Sequence, residues 1–263
     1  MIAVSNRKKP LPFEAIAYTP SGDVAYYVDP ESVGGMFDID ESKREAFSPS
    51  GETWYPNIYS HRFTIFIPGN PGAGKSYLAS DLISMFPKDY EILLFTALEE
   101  EDGNFDVFKD RMFKIRMEPD NLKRLTLTEI RKRCKHPILL FDDIDKIRDK
   151  NVEKLTYAIL EDALANGRGH RKHDGVGDVH TVVTSHALND YRKTKYTLEN
   201  SDYIALFPGS TTYRQFETMF KKLGLSDELC KEMFDLGKKG IRSIIIHKVS
   251  PMYLIAGSLI RLL

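Results

Sequence analysis

From Arg62 onward the apolar positions alternate between two patterns. Short β-type runs at Phe63 to Ile67, Glu91 to Phe95, Phe113 to Met117, Ile138 to Phe141, Thr181 to Thr184 and Tyr203 to Phe207 read as strands, with Ile138 to Phe141 an apolar run that reads as a buried central one. Between them, helical spacing predicts a helix over Lys75 to Met85, ended by Pro87. A second runs over Val152 to Ala165, with Val152, Leu155, Ile159 and Ala163 on one face and Gly167 as its stop. Strands alternating with helices point to an α/β fold around a largely parallel sheet.

The two ends of the chain are patterned differently. Ala15 to Tyr18 and Val24 to Val28 flank the turn signal Thr19-Pro20-Ser21-Gly22-Asp23, which predicts a hairpin. Asp29 to Pro56, rich in Gly, Pro, Ser and acid, reads as a covering arm more than a second core. Near the other end, Thr212-Tyr213-Arg214-Gln215 fits a capping box opening a helix with Phe216, Met219, Phe220 and Leu223 apolar, stopped by Gly224. A short helix follows Ser226, and Ser243 to Ile246 and Tyr253 to Ile255 read as two final strands joined around Pro251. The division expected is a β-rich arm over residues 1–60 and an α/β domain over 61–263.

The 263 residues carry 37 basic and 38 acidic side chains, a net charge of −1, so any attraction to nucleic acid must come from local clusters. Cys134 and Cys230 stand far apart without metal-ligand spacing, which reads as two reduced thiols in an intracellular protein. The N-terminus lacks the apolar core of a signal peptide. The run from Met252 to Leu263 is too short to cross a bilayer and contains Arg261.

The most specific chemistry lies at Gly69-Asn70-Pro71-Gly72-Ala73-Gly74-Lys75-Ser76. It matches G-x-x-x-x-G-K-[ST] between a predicted strand and a predicted helix, as that pattern requires. Glycines let backbone N–H groups curl around phosphate oxygens, and the helix N-terminus adds its positive end. Lys75 offsets the β and γ phosphates, and the Ser76 hydroxyl suits Mg²⁺.

Ile138-Leu139-Leu140-Phe141-Asp142-Asp143 supplies a buried strand ending in two carboxylates, where ligands of open α/β sheets bind. Asp142 is the expected Mg²⁺ partner. Strand alternation turns Asp143 elsewhere, toward a water it could activate, with Asp145 a rival. Thr184, Ser185 and His186, at the end of another strand, are candidates to reach the γ-phosphate, while Thr184 and Ser185 also suit local backbone groups.

These segments, with Asn166-Gly167-Arg168-Gly169-His170 and Tyr203-Ile204-Ala205-Leu206-Phe207-Pro208, resemble the genome-packaging ATPases of large DNA viruses, of the poxvirus, giant-virus and virophage-like kind, in the FtsK/HerA superfamily. Leu223-Gly224-Leu225 and Ile246 to Tyr253 also look like that family's C-terminal part; the resemblance covers roughly residues 62 to 256. It implies a P-loop NTPase fold of the ASCE, RecA-like type and hydrolysis of ATP with Mg²⁺. It implies further a ring of five or six subunits that draws double-stranded DNA into a capsid, working with capsid vertex proteins in the virion or at an intracellular assembly site, with no membrane required.

By the same resemblance Lys75, Ser76 and Asp142 hold nucleotide and metal, Asp143 activates water, and Ser185-His186 holds the sensor position often filled by Gln. The superfamily often has Glu where Asp143 stands, and many relatives carry a basic residue near Leu198-Glu199-Asn200, where this chain has Arg192, Lys193 and Lys195 nearby. Arg168, after the helix that follows the Asp pair, is a candidate arginine finger for a neighbouring subunit.

His170, His173, His180 and His186 lack the partners of a zinc site, so His170 and His173 are assigned to a loop, Gly167 to Gly177, that contacts nucleic acid or another subunit. Basic clusters such as Arg131-Lys132-Arg133 and Lys238-Lys239-Arg242 read singly as solvated faces, but several subunits around a pore would make them a cationic ring. The acidic run Glu99 to Asp102 reads as a surface loop. Two rival functions remain: a nucleoside or nucleotide kinase, and an ATP-binding virion component without motor activity.

Overall fold

A computed structural model describes residues 1–7, 10–29, 44–59, 62–97, 103–169, 177–186 and 191–263, without the side chains of 191–193. His170, His173 and the acidic run at 99–102 lie outside the described residues. The chain divides into two compact units, His61–Ile204 in one and Met1–Ser60 with Ala205–Leu263 in the other. Residues 205–263, read from the sequence together with 61–204, fall with the first 60 residues in this division.

In the unit His61–Ile204, the strands β6 (Thr64–Pro68), β7 (Glu91–Thr96), β8 (Met112–Lys114), β9 (Pro137–Asp142) and β10 (His180–Ser185) lie parallel in the order β6-β10-β9-β7-β8. The first residues of β11 (Tyr203–Leu206) pair parallel with the outer side of β6. Strands β6, β9 and β10 are buried along their whole length, which explains why their sequences read as unbroken apolar runs. Thr64, Thr181 and Thr184 are buried with them, their hydroxyls tolerated at a sheet position that suits β-branched side chains.

The helix α1 (Lys75–Ser84) packs on β6 and β10, burying Leu78, Ala79, Leu82 and Ile83. The helix α4 (Lys150–Asn166) is capped by Asp149 and buries Val152, Thr156, Ile159, Leu160, Ala163 and Leu164. Leu155, expected in that stripe, is only half-buried, and Thr156 takes its place by returning its hydroxyl to the Val152 carbonyl at 2.9 Å. Around α4 lie α2 (Pro119–Arg124), α3 (Leu127–Arg133) and α5 (Tyr191–Asn200).

The other unit holds an antiparallel sheet in the order β1-β3-β2-β5, from β1 (Ile2–Asn6), β2 (Glu14–Tyr18), β3 (Asp23–Tyr27) and β5 (Tyr55–Pro56). The expected hairpin is β2 and β3. The stretch after it is more than a cover: Trp54 is fully buried, and β4 (Glu45–Phe47) pairs with β14 (Leu259–Leu262). β12 (Ile244–His247), β13 (Tyr253–Ala256) and β14 form an antiparallel meander. Helix α6 (Tyr213–Lys222) opens with the expected capping box of Thr212 and Gln215, and α7 (Asp227–Lys238) starts at the Ser226 cap.

The fold is therefore an α/β P-loop NTPase fold of the ASCE, RecA-like type, with a large, mostly parallel sheet flanked by helices and a small N-terminal antiparallel sheet.

Candidate phosphate and carboxylate site

Strand β6 runs into the loop Gly69 to Gly74, and α1 begins at Lys75. Gly72 and Gly74 adopt φ of +77° and +99°, a region that L side chains rarely enter, and this turns the chain sharply into the helix. No side chain caps α1. The N–H groups of its first turn lack intrahelical acceptors, so this helix end suits an anion. Ala73 is buried beneath the loop, and the Gly69 N–H donates to the Ser185 carbonyl at 3.0 Å, which fixes the loop's start to the end of β10.

Lys75 is only 6 % exposed. Its ammonium donates to the carbonyls of Gly69 (3.0 Å) and Asn70 (3.4 Å) and lies 3.3 Å from His186 Nδ1. Three acceptors match its three N–H donors, so an arriving phosphate oxygen has to displace one of them. Burial holds the Lys75 pKa below its usual value, opposed by the carboxylates of Asp143, Asp142 and Asp145.

Asp142 ends β9 and is buried, with Oδ1 accepting from the Thr184 hydroxyl at 2.7 Å. The same hydroxyl accepts from the Asp143 N–H at 3.0 Å. Thr184 thus does both things open to it from the sequence: it satisfies a local backbone donor and orients a carboxylate. That is possible because β10 lies directly beside β9, with Val183 opposite Phe141.

Asp143 departs from the expected reasoning, though not from its position. Its direction is set by a left-handed backbone, φ 50° and ψ 37°, and not by strand alternation; among the described residues it is the only non-glycine with positive φ. Such a residue costs about 1–3 kcal/mol and persists where its surroundings hold it. Its Oδ2 accepts from Lys146 Nζ at 2.9 Å and His186 Nε2 at 2.7 Å, while its buried Oδ1 has no partner. Burial alone would push the Asp143 carboxyl up, but hydrogen bonds from Lys146 and His186 and the charge of Lys75 outweigh it and hold the pKa below the usual carboxylate range.

His186 bridges the two halves of the site. With Lys75 donating to Nδ1, the network assigns the ring proton to Nε2, from which it is given to Asp143. The His186 N–H points to the Asp145 carboxylate, 3.3 Å from each oxygen. Asp145 therefore positions His186, which separates its place from that of Asp143.

Ser76 is half-buried at the start of α1, and Ser185 is buried and contacts the loop through its carbonyl. Lys146 was missed in the sequence, although its spacing three residues after Asp143 is that of one helical turn. Arg168 is not brought to the site. It is exposed just beyond α4, where the Gly167 carbonyl accepts from Val179 N at 2.8 Å, immediately before β10 begins. It therefore lies at the N-terminal edge of the sheet, whereas Lys75 and Asp142 lie at the C-terminal edge. Its carbonyl accepts from Arg131 at 3.1 Å. Glu199 lies 3.8 Å from Lys195. His180 is a core side chain, accepting from the Phe63 N–H at 3.1 Å and packing against Phe86.

The loop, the uncapped helix end and the paired carboxylates suit a nucleoside triphosphate with a divalent cation. Asp142 and Ser76 are oxygen donors of the kind Mg²⁺ prefers, and the partnerless Asp143 Oδ1 is an acceptor left over for water.

No family model matches the chain. It is 27 % identical over 255 residues to the uncharacterized protein V3 of Sputnik virophage, an alignment covering 92 % of this chain and 91 % of that one, so it has a viral homologue of the same extent. Among solved structures, the pCW3 conjugation coupling protein TcpA, in its monomer form with ATPgS, superimposes with a TM-score of 0.42 at 9 % identity, covering 91 % of this chain and 73 % of TcpA. Likeness at that level carries no functional argument. Among the described residues, no helix is long and apolar enough to cross a membrane.

Proposed function

We propose that the chain is the ATP-hydrolysing subunit of a motor that packages double-stranded viral DNA into a capsid, as the sequence resemblance implies. The observation that supports this reading most is the meeting of Lys75, Asp142, Asp143 and His186 at the ends of three adjacent strands and one helix start. In this reading the N–H groups from Gly69 to Ser76 hold the phosphates of ATP, with Asn70, Pro71 and Ala73 shaping the loop, and Lys75 offsets their charge. Ser76 and Asp142 hold Mg²⁺, which supplies charge neutralisation at the transferred phosphoryl group. Asp143 orients water and accepts its proton, while Ser185 and His186 report the state of the phosphate site to the rest of β10.

Arg168 cannot serve the phosphate loop of its own subunit from the opposite sheet edge. Helix α4 alone, with 17 residues, spans about 25 Å between the Asp143 side and Arg168. A role as arginine finger would therefore be exerted on a neighbour, and the contact would be head-to-tail, the kind that closes into a ring. Five or six subunits, capsid vertex proteins and a virion or intracellular assembly site complete the proposal.

The test is ATP turnover with and without long duplex DNA across a range of protein concentrations. A rise with both DNA and concentration is expected, and Arg168→Ala subunits mixed with Lys75→Ala subunits should recover part of the activity. No recovery in demonstrably mixed assemblies removes the finger. Phosphoryl transfer to a nucleoside would establish the kinase, and tight ATP binding with no DNA-dependent turnover the non-motor component.

A further inference from the structure

The N-terminal sheet carries a second concave site, unrelated to the phosphate loop. A cavity of about 330 Å³ is lined by Arg7, Pro10, Tyr18, Val24, Tyr26 and Tyr59, all within the unit that contains residues 1–60. That volume lies at the lower end of the range for small-ligand pockets, about 300–1,000 Å³.

Its walls follow from the local sequence. Val24 and Tyr26 are two residues apart on β3 and so share a face, and Tyr18 sits opposite Val24 in the ladder of β2 and β3. Tyr59 meets Tyr18 edge-on, ring centroids 5.8 Å apart at 79°, and remains 47 % exposed. Arg7 is held from two sides: its N–H donates to the Gly22 carbonyl at 2.8 Å, and its guanidinium lies 4.8 Å over the Tyr18 ring. Gly22 suits the turn between β2 and β3 because its φ of +101° is one that L side chains rarely adopt.

The lining chemistry selects its ligand. Three tyrosines offer flat π surfaces, one of them exposed, and the single charge is positive with no carboxylate among the lining residues. A cationic ligand would meet Arg7 without a counter-charge. A purely apolar ligand would leave Arg7 unused. A planar ring carrying an anionic group satisfies both, the combination by which proteins hold unpaired bases on aromatic and arginine faces.

We infer that this pocket binds an unpaired nucleotide, its base stacked on the exposed Tyr59 ring and its phosphate facing Arg7 beside Tyr18. Bases inside a duplex cannot enter, so the ligand is a nucleotide of a single strand or frayed end, or a free mononucleotide.

The full chain, without ATP, is titrated into a fluorescent oligothymidylate and a blunt duplex of equal length, with thymidine monophosphate as competitor. Tyr59→Ala and Arg7→Ala change exposed side chains, and circular dichroism verifies their fold. Binding of the single strand is expected, weakened about 5- to 100-fold by Tyr59→Ala. Arg7→Ala should lower the log–log salt slope by about one, and Arg7→Lys should restore the slope but not the full affinity. Neither variant should change duplex binding. Competition by the mononucleotide at concentrations similar to those of the oligonucleotide identifies the free nucleotide as ligand; its failure identifies the strand. Absent oligothymidylate binding, or binding unchanged in both variants, overturns the inference. So does an equal loss on duplex, which would place Arg7 and Tyr59 on the DNA backbone.

Discussion

The two ends of strands β6 and β10 both bury charge, but with different kinds of partner. At the N-terminal end, Arg62 donates to the main-chain carbonyls of Ala163 and Leu164, at 3.2 and 2.6 Å, in the last turn of α4, with Asp202 at 3.9 Å. Burial lowers its pKa, Asp202 opposes that, and the nearby Arg168 adds to it. These carbonyls are fixed by the helix, and a cation there is also favoured by the helix dipole. At the C-terminal end, Asp143 is held by Lys146 and His186, side chains that can swing, on a left-handed backbone. Both ends leave buried polar atoms without a partner, Arg62 Nε and Thr181 Oγ1 at one and Asp143 Oδ1 at the other. An unpartnered atom is therefore a poor sign of function by itself. What distinguishes the C-terminal end is that its partners can be exchanged for a ligand.

The sharpest break of this comparison is Lys75→Ala. Turnover should fall by about 100- to 1,000-fold, as when one donor to a developing anion is lost, while the urea midpoint stays level or rises because a buried cation has gone. An unchanged rate would remove the phosphate site. Arg62→Leu should show the reverse, losing about 3 kcal/mol of unfolding free energy by removing the buried donor to the Ala163 and Leu164 carbonyls and the cation beside Asp202; turnover of the folded protein should stay near wild type, measured below the melting range. Thr184→Val keeps the shape and removes the hydroxyl shared by Asp142 and Asp143, so a stability loss of about 1–2 kcal/mol is expected, with weaker Mg²⁺ dependence of nucleotide binding.

The smallest effect concerns acid. The folded-state pKa of Asp143 is depressed, so its contribution to stability is present above the unfolded carboxyl value, about 3.9, and is lost as pH falls through the lower folded value. The stability gap between wild type and Asp143→Asn should therefore narrow below about pH 4. A gap independent of pH would mean that the charge of Asp143 is not stabilised by its neighbours.

The parallel strands were legible because burial on both faces writes them as apolar runs, and the α6 cap because Thr212 and Gln215 stand three apart. Lys75, Asp142 and Asp143 were legible because their motifs sit at strand ends. Helix α5, Tyr-Arg-Lys-Thr-Lys-Tyr-Thr-Leu-Glu-Asn, gave little apolar period to read. Strand β14 was merged with the preceding run because the turn at Gly257-Ser258 is only two residues long, with Gly257 at φ +60°. The contacts of Lys146, Asp145 and Thr184, and the sheet edge on which Arg168 falls, depend on strand order and backbone conformation, which spacing along the chain does not encode.

The left-handed backbone at Asp143 also bears on how such a site can change over generations. Aspartate and asparagine tolerate that conformation far better than glutamate, whose longer side chain lacks the same short local hydrogen bonding. A single mutation from Asp143 to Glu would thus lengthen the carboxylate and strain its backbone in the same step. A lineage moving between the two acids would need a compensating change in the turn from Asp143 to Lys146, so the choice of acid and the shape of this turn are inherited together.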